Sequence, residues 1–81
     1  MRVLADFVAE NRMGELVARS PWPAIGAIEG SEQQAGVDFP WRAEIVSTPN
    51  PELRRVEIRV LSPEEPHREL RRLVGVVARE N

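Results

Sequence analysis

VLADFVAENRMGELVAR at residues 3–19, closed by SPWP at residues 20–23, decides the fold. The first segment has no proline and is rich in Ala, Leu, Glu, Arg and Met, which lose little on entering a helix. Glu15 and Arg19 stand four apart, in the favourable order for a surface pair. The second segment stops the helix. Pro21 and Pro23 cannot continue it, and Ser20, lying before Pro21, is pushed out of the helical region. One helix over about residues 3–19 is expected.

Placed at about 100° per residue, this helix is apolar on two sides. Ala5, Ala9, Met13 and Leu16 form one stripe. Val3, Phe7, Gly14 and Val17 form another, with Leu4 and Ala18 beside it. Asp6 and Glu10 divide the stripes on one side; Asn11, Arg12, Glu15 and Arg19 divide them on the other. An ordinary surface helix has one apolar stripe. Two stripes predict two packing surfaces, and the plainer alternative is a helix sandwiched within its own domain.

Beyond the prolines the period changes from helical to two-residue. Residues 27–36 read as a weak strand ending at Ala35-Gly36. Over residues 40–48, Trp41, Ala43 and Ile45 alternate with Arg42, Glu44 and Val46. The turn Thr48-Pro49-Asn50-Pro51 leads to the clearest strand, residues 53–62. There Val56, Ile58 and Val60 face in, while Arg55, Glu57 and Arg59 face out. A second proline turn, Ser62 to Pro66, precedes residues 69–78. Their run Leu73-Val74-Gly75-Val76-Val77 suits a strand covered on both faces. The short connections favour antiparallel neighbours. The expected fold is α+β: an N-terminal helix packed on a small antiparallel sheet, one domain over residues 1–81, with the β region at about 27–78. Trp22 and Trp41 are expected in the core rather than as interface anchors.

With 81 residues there is room for one modest core, and no cysteine to staple it. A partner is the other source of stability. The formal net charge is −2, and all eleven basic residues are Arg, spread along the chain and interleaved with acids. That is no basic face, so nucleic acid is not an expected partner. The longest apolar stretches are a few residues, against the roughly 20 of a spanning helix. Met1 opens almost directly into helical sequence without a cap, as a helix cut at its front end does. A segment upstream of Met1 is therefore expected.

Catalytic features are sparse. His67, the single imidazole, lies in a proline-flanked turn beside Glu65 and Arg68, the setting of a solvated loop histidine more than of a general base. Glu64-Glu65 in the same turn read as solubilising. No serine has a G-x-S-x-G elbow, and the five glycines form no phosphate loop. With one His, no Cys and aspartates only at 6 and 38, no metal site or other cofactor is expected.

Read in order, the chain resembles the I-type minor pseudopilin of the bacterial type II secretion system. The resemblance runs over about residues 4–62. It begins with Leu4-Ala5-Asp6-Phe7-Val8-Ala9-Glu10-Asn11-Arg12 and Glu15-Leu16, then Trp22-Pro23, Gly26, Glu29-Gly30 and Ala35-Gly36. It continues with Trp41, Glu44, Pro51-Glu52-Leu53-Arg54-Arg55-Val56-Glu57-Ile58 and Val60. No single piece is specific; the combination is. After Ser62 the likeness is loose.

The resemblance implies a pilin-like head, held in the periplasm by an N-terminal apolar helix in the inner membrane. It also implies assembly with J-type and K-type minor pseudopilins at the tip of a pseudopilus, beside other pseudopilins, and supplies no catalytic residue. This sequence departs from the family in holding no anchor, peptidase cleavage site or acidic residue near a mature N-terminus. Contact with a membrane is expected only through that anchor. By the same resemblance the later helical turns pack on the sheet and the first turns extend away from it. Val3, Leu4, Phe7, Val8 and Asn11 are then the candidate partner interface, and Met13 and Leu16 belong to the core. A small cytoplasmic regulatory or antitoxin-like module, and a small enzyme subunit using His67 and the glutamates, are the alternatives from other classes.

Overall fold

The computed structural model describes residues 2–19 and 21–79. One helix precedes four strands: α1 Arg2–Val17, β1 Gly26–Gln34, β2 Val37–Ser47, β3 Leu53–Leu61 and β4 Glu69–Ala78. The strands form one antiparallel sheet in the order β1-β2-β3-β4, each pairing with its neighbour in sequence. Short turns between successive strands permit no other arrangement as cheaply. The expected helix and sheet are both present, with Trp41–Val46 beside Leu53–Leu61.

The helix ends slightly before its predicted stop. The amide of Ala18 still donates to the Gly14 carbonyl, at 3.2 Å, while that of Arg19 donates to Leu16, at 3.3 Å. That tightening satisfies carbonyls which a helix end leaves free. The stop assigned to Ser20 lies outside the described residues. Glu15 pairs with Arg12, at 3.2 Å, rather than with Arg19.

One face of the sheet and one face of α1 make the core. Cross-strand neighbours Ala43 and Ile58, and Ile45 and Val56, are buried together with Phe39, Val60 and Val77. From the helix come Ala5, Val8, Ala9 and Leu16. Trp22 and Trp41 are half-buried and pack against this cluster from its rim. Trp41 lies over Gly30, where an added Cβ would sit 2.7 Å from Trp41 Cζ2. Trp22 is covered by the Arg54 guanidinium, 3.9 Å from its ring centroid, and Arg54 Nη1 donates to the Pro23 carbonyl at 2.7 Å. The connection after α1 is thereby tied down to β3.

Two local features show how the strands tolerate their residues. Pro40 pairs with Ser31 of β1, but the β2–β3 ladder begins only at Trp41, so its missing N–H costs no bond to β3. The β1–β2 hairpin turns on Ala35-Gly36, with φ of 52° and 79°. Two positive φ angles suit the twist of a two-residue hairpin. Gly36 adopts them freely; Ala35 does so against its Cβ, at roughly 1–2 kcal/mol. Ala35→Asn should therefore raise the thermal midpoint by a few degrees, a gain of about 0.5–1 kcal/mol, measured by circular dichroism.

One expectation about β4 is overturned. Its apolar run suggested cover on both faces, but β4 is an edge strand, and Val74 and Val76 are exposed on the face away from α1. The helix covers only Gly75 and its neighbours on the inner face. There an added Cβ would meet Met13 Sδ at 3.0 Å.

Candidate functional site

Small residues bring the helix down onto the sheet. Ala5 and Ala9 are fully buried, and so is Val8. Leu16 is buried too, and Met13 is half-buried against the core over Gly75. The first helical turns are thus seated, not extended beyond the sheet. Ion pairs hold both flanks. Asp6 meets Arg71 of β4 at 2.9 Å, and Arg12 meets Glu32 of β1 at 2.9 Å. Burial pushes the Glu32 carboxyl up, but hydrogen bonds from Asn11 and Gln34 and the charge of Arg12 outweigh it, leaving the group below its usual value.

The opposite side of α1 is the candidate partner surface. Val3 is 65% exposed, Phe7 53% and Val17 45%. Of the five interface residues expected from sequence, Val3 and Phe7 face outward. Leu4 is half-buried and packs on the core. Val8 points into the core; its place in an exposed patch is corrected, because the helix lies along the sheet from its first turn. Asn11 is exposed, yet its side-chain amide already donates to Glu32, at 2.9 Å. Val17 completes the outer stripe and was missing from the interface set, although its position in the wheel pointed to it.

The outer face of the sheet carries mainly charge. The register sets Arg42 opposite Arg59 and Arg59 opposite Arg72, with Glu44 opposite Glu57 in the next row. Like charges directly opposite are unfavourable, so the side chains pair along and across the rows. Glu57 lies 3.2 Å from Arg59, 3.3 Å from Arg55 and 3.9 Å from Arg72. Arg72 also meets Glu69 at 3.1 Å, and Arg42 meets Glu29 at 3.0 Å. This face neutralises itself and offers no surplus of one sign to a charged partner.

Burial pushes the Glu57 carboxyl up, but the hydrogen bond from Arg59 and the charges of Arg72 and Arg59 hold it below the model-compound value of 4.5. A carboxylate depressed in the folded state adds stability that is complete above its unfolded pKa and is lost as pH falls through the folded one. Glu57→Gln should therefore lower stability most near neutral pH. The gap from the parent in urea melts should close as the pH drops below 4.5.

His67 and Glu65 are exposed in the turn after β3, and Ser62 Oγ there accepts from the amides of Glu64 and Glu65, at 3.2 and 3.1 Å. Among the described residues no group of three or more His, Asp or Glu side chains is placed to hold a metal ion. A shallow cavity of about 510 Å³ between the start of α1 and β4 is lined by Arg2, Asp6, Glu69, Leu70, Arg71 and Arg72. Its acids are engaged with Arg71 and Arg72. No helix of the described residues is long and apolar enough to cross a membrane.

A helix laid along one face of an antiparallel four-stranded sheet, with an apolar stripe left on its outer side, is the arrangement of a pilin-like head. The family description "Type II secretion system (T2SS), protein I" matches residues 1–78. The chain belongs to that family. It is 34% identical over 55 residues to type II secretion system protein I of Pseudomonas aeruginosa, covering 68% of this chain and 43% of that protein. It is 34% identical over 59 residues to the protein I of Klebsiella pneumoniae, and 30% over 59 residues to that of Pectobacterium carotovorum. Each of these two alignments covers 73% of this chain and 49% of the relative. The chain thus spans about half the length of the relatives it matches.

Proposed function

We propose that this chain is the head of a minor pseudopilin that assembles with J-type and K-type subunits at the tip of a type II secretion pseudopilus. In that role it supports protein export across the outer membrane. The head stands in the periplasm, and the whole protein is held in the inner membrane by an apolar helix. Membership of the protein I family supports the class of assembly. The observation that carries the reading to a surface is the outer stripe of α1. Val3 and Phe7 stay exposed side by side, with Val17 further along the same face beyond Glu10 and Gly14, on a helix whose other side packs on the sheet. Neighbouring exposed apolar side chains on one element mark a contact surface. A stripe on a helix suits a second helix, packed at 8–10 Å between axes.

The test is reconstitution. The chain is mixed with the head domains of the J-type and K-type subunits of its own system, and the product is followed by size-exclusion chromatography with light scattering. A complex containing this chain is the expected result. Three species that elute as they do alone would overturn the proposal.

A further inference from the structure

Three charged side chains of the sheet reach toward α1 or the connection behind it. Arg71 of β4 meets Asp6, Arg54 of β3 meets Trp22 and the Pro23 carbonyl, and Glu32 of β1 meets Asn11 and Arg12. Glu32 differs from the other two in its setting. Its side chain is only 13% exposed, and it stands in a part of the sheet that β3 does not support. The β1–β2 ladder runs on to Gln34 and Val37, whereas the β2–β3 ladder stops at Trp41 and Val60. Residues 31–40 therefore form a two-stranded arm that continues past the third strand. A two-stranded hairpin is marginal by itself in water.

Two features hold this arm on the helix side. Phe39, opposite Glu32, is fully buried in the core. The other is polar. Asn11 Nδ2 and Gln34 Nε2 donate to Glu32 Oε2, at 2.9 and 2.8 Å, and Arg12 Nε stands 2.9 Å from Oε1. The Arg12 guanidinium also lies over Trp41, 5.6 Å from the ring centroid, and Trp41 lies over Gly30.

We propose that the 31–40 arm is a hinged flap latched to α1 by the Glu32 carboxylate, and that loss of this charge frees the arm while α1, β3 and β4 stay in place. The chemistry of the latch needs the ionised acid. A proton on Oε1 would set a donor against the Arg12 N–H, and one on Oε2 would set a donor against Asn11 and Gln34. Either way a partly buried guanidinium loses its counter-charge on β1. The helix itself does not depend on the latch, since Met13 over Gly75 and Asp6 with Arg71 seat it on β4. An opened arm uncovers Phe39 and loosens the stack of Arg12 on Trp41.

From α1, Glu32 faces Asn11 and Arg12, with Glu15 on the far side of Arg12 at 3.2 Å. From β2 it faces Phe39, which carries no charge. Arg12 stays protonated throughout. Burial raises the Glu32 carboxyl, but its three donors hold it below 4.5. The latch is therefore closed above the unfolded pKa and opens as pH falls through the folded one.

The experiment follows amide hydrogen exchange in the parent, Glu32→Gln and Glu29→Gln. Glu29 lies on the other face of β1, 3.0 Å from Arg42, and controls for removing a charge from the strand. In Glu32→Gln, residues 31–39 should exchange at least about tenfold faster than in the parent at neutral pH, with β3 and β4 unchanged. Glu29→Gln should match the parent. Below pH 4.5 exchange of the arm, corrected for its intrinsic pH dependence, should rise in the parent and converge on that of Glu32→Gln. Equal acceleration in all four strands, or loss of the folded state, would make the ion pair part of global stability and overturn the proposal. So would an arm that exchanges at the parent rate in Glu32→Gln, or a gap that persists at acid pH. The test uses this chain alone, so no outcome bears on the assembly with J-type and K-type heads.

Discussion

Val8→Asp is expected to unfold the head. Val8 is fully buried between α1 and the sheet, among Ala5, Ala9 and the strand residues of the core. A carboxylate there would have no cationic or donor partner from the cluster of apolar side chains around it. Burying an unpaired charge costs several kcal/mol even after relaxation. A single core in a chain of this size rarely supplies more than about 3–5 kcal/mol. The substitution therefore removes most or all of the net stability. The expected result is loss of the cooperative thermal transition by circular dichroism at neutral pH. A midpoint within a few degrees of the parent would mean that α1 does not seat as described.

One residue earlier the outcome should reverse. Phe7 is 53% exposed on the outer stripe, so Phe7→Asp puts a charge into water and leaves the core untouched. The free chain should melt near the parent temperature. If the proposed assembly with J-type and K-type heads uses this stripe, association should fall at least about tenfold, or about 1.4 kcal/mol, since binding would bury the exposed half of Phe7, about half of the roughly 1.5–3 kcal/mol of a whole side chain, and the new carboxylate would be desolvated as well. Isothermal titration calorimetry or co-purification reads the loss. Unchanged binding would move the partner surface off this stripe. The two adjacent substitutions thus separate seating of the helix from assembly through it.

Much of the fold was legible. Composition located α1, and Pro21 and Pro23 located the region where it stops. The alternation from Arg54 to Val60 showed both faces of β3, and the proline turns showed antiparallel neighbours. What was misread depended on direction. A helical wheel gives the angle of Val8 relative to Ala5 and Leu16, but not where the sheet lies. That is settled by distant residues: Gly75 gives room for Met13, Arg71 pairs with Asp6 and Glu32 pairs with Arg12. Edge position is equally non-local. Leu73 to Val77 carry an apolar pattern whose outer half, Val74 and Val76, no strand among the described residues flanks on its far side, and no local signal distinguishes that from a central strand. The Arg54 contact with Trp22 and Pro23 is non-local in the same way, joining β3 to the connection after α1 across some thirty residues of sequence.

The seat of α1 on β4 carries a consequence for the order of folding. The first element of the chain meets Arg71 and the space over Gly75 only when the last strand is in place, whereas β1, β2 and β3 pair with immediate neighbours. Hairpin contacts close short loops and form early; the contact between helix and last strand closes the longest loop in the head and comes late. Until then the part of the inner stripe of α1 that β4 covers, and the free edge of β3, are both unshielded. A nascent head is therefore most vulnerable to proteolysis and to mispairing in the interval before β4 arrives, and the step that ends this vulnerability is the same one that turns Val3, Phe7 and Val17 outward.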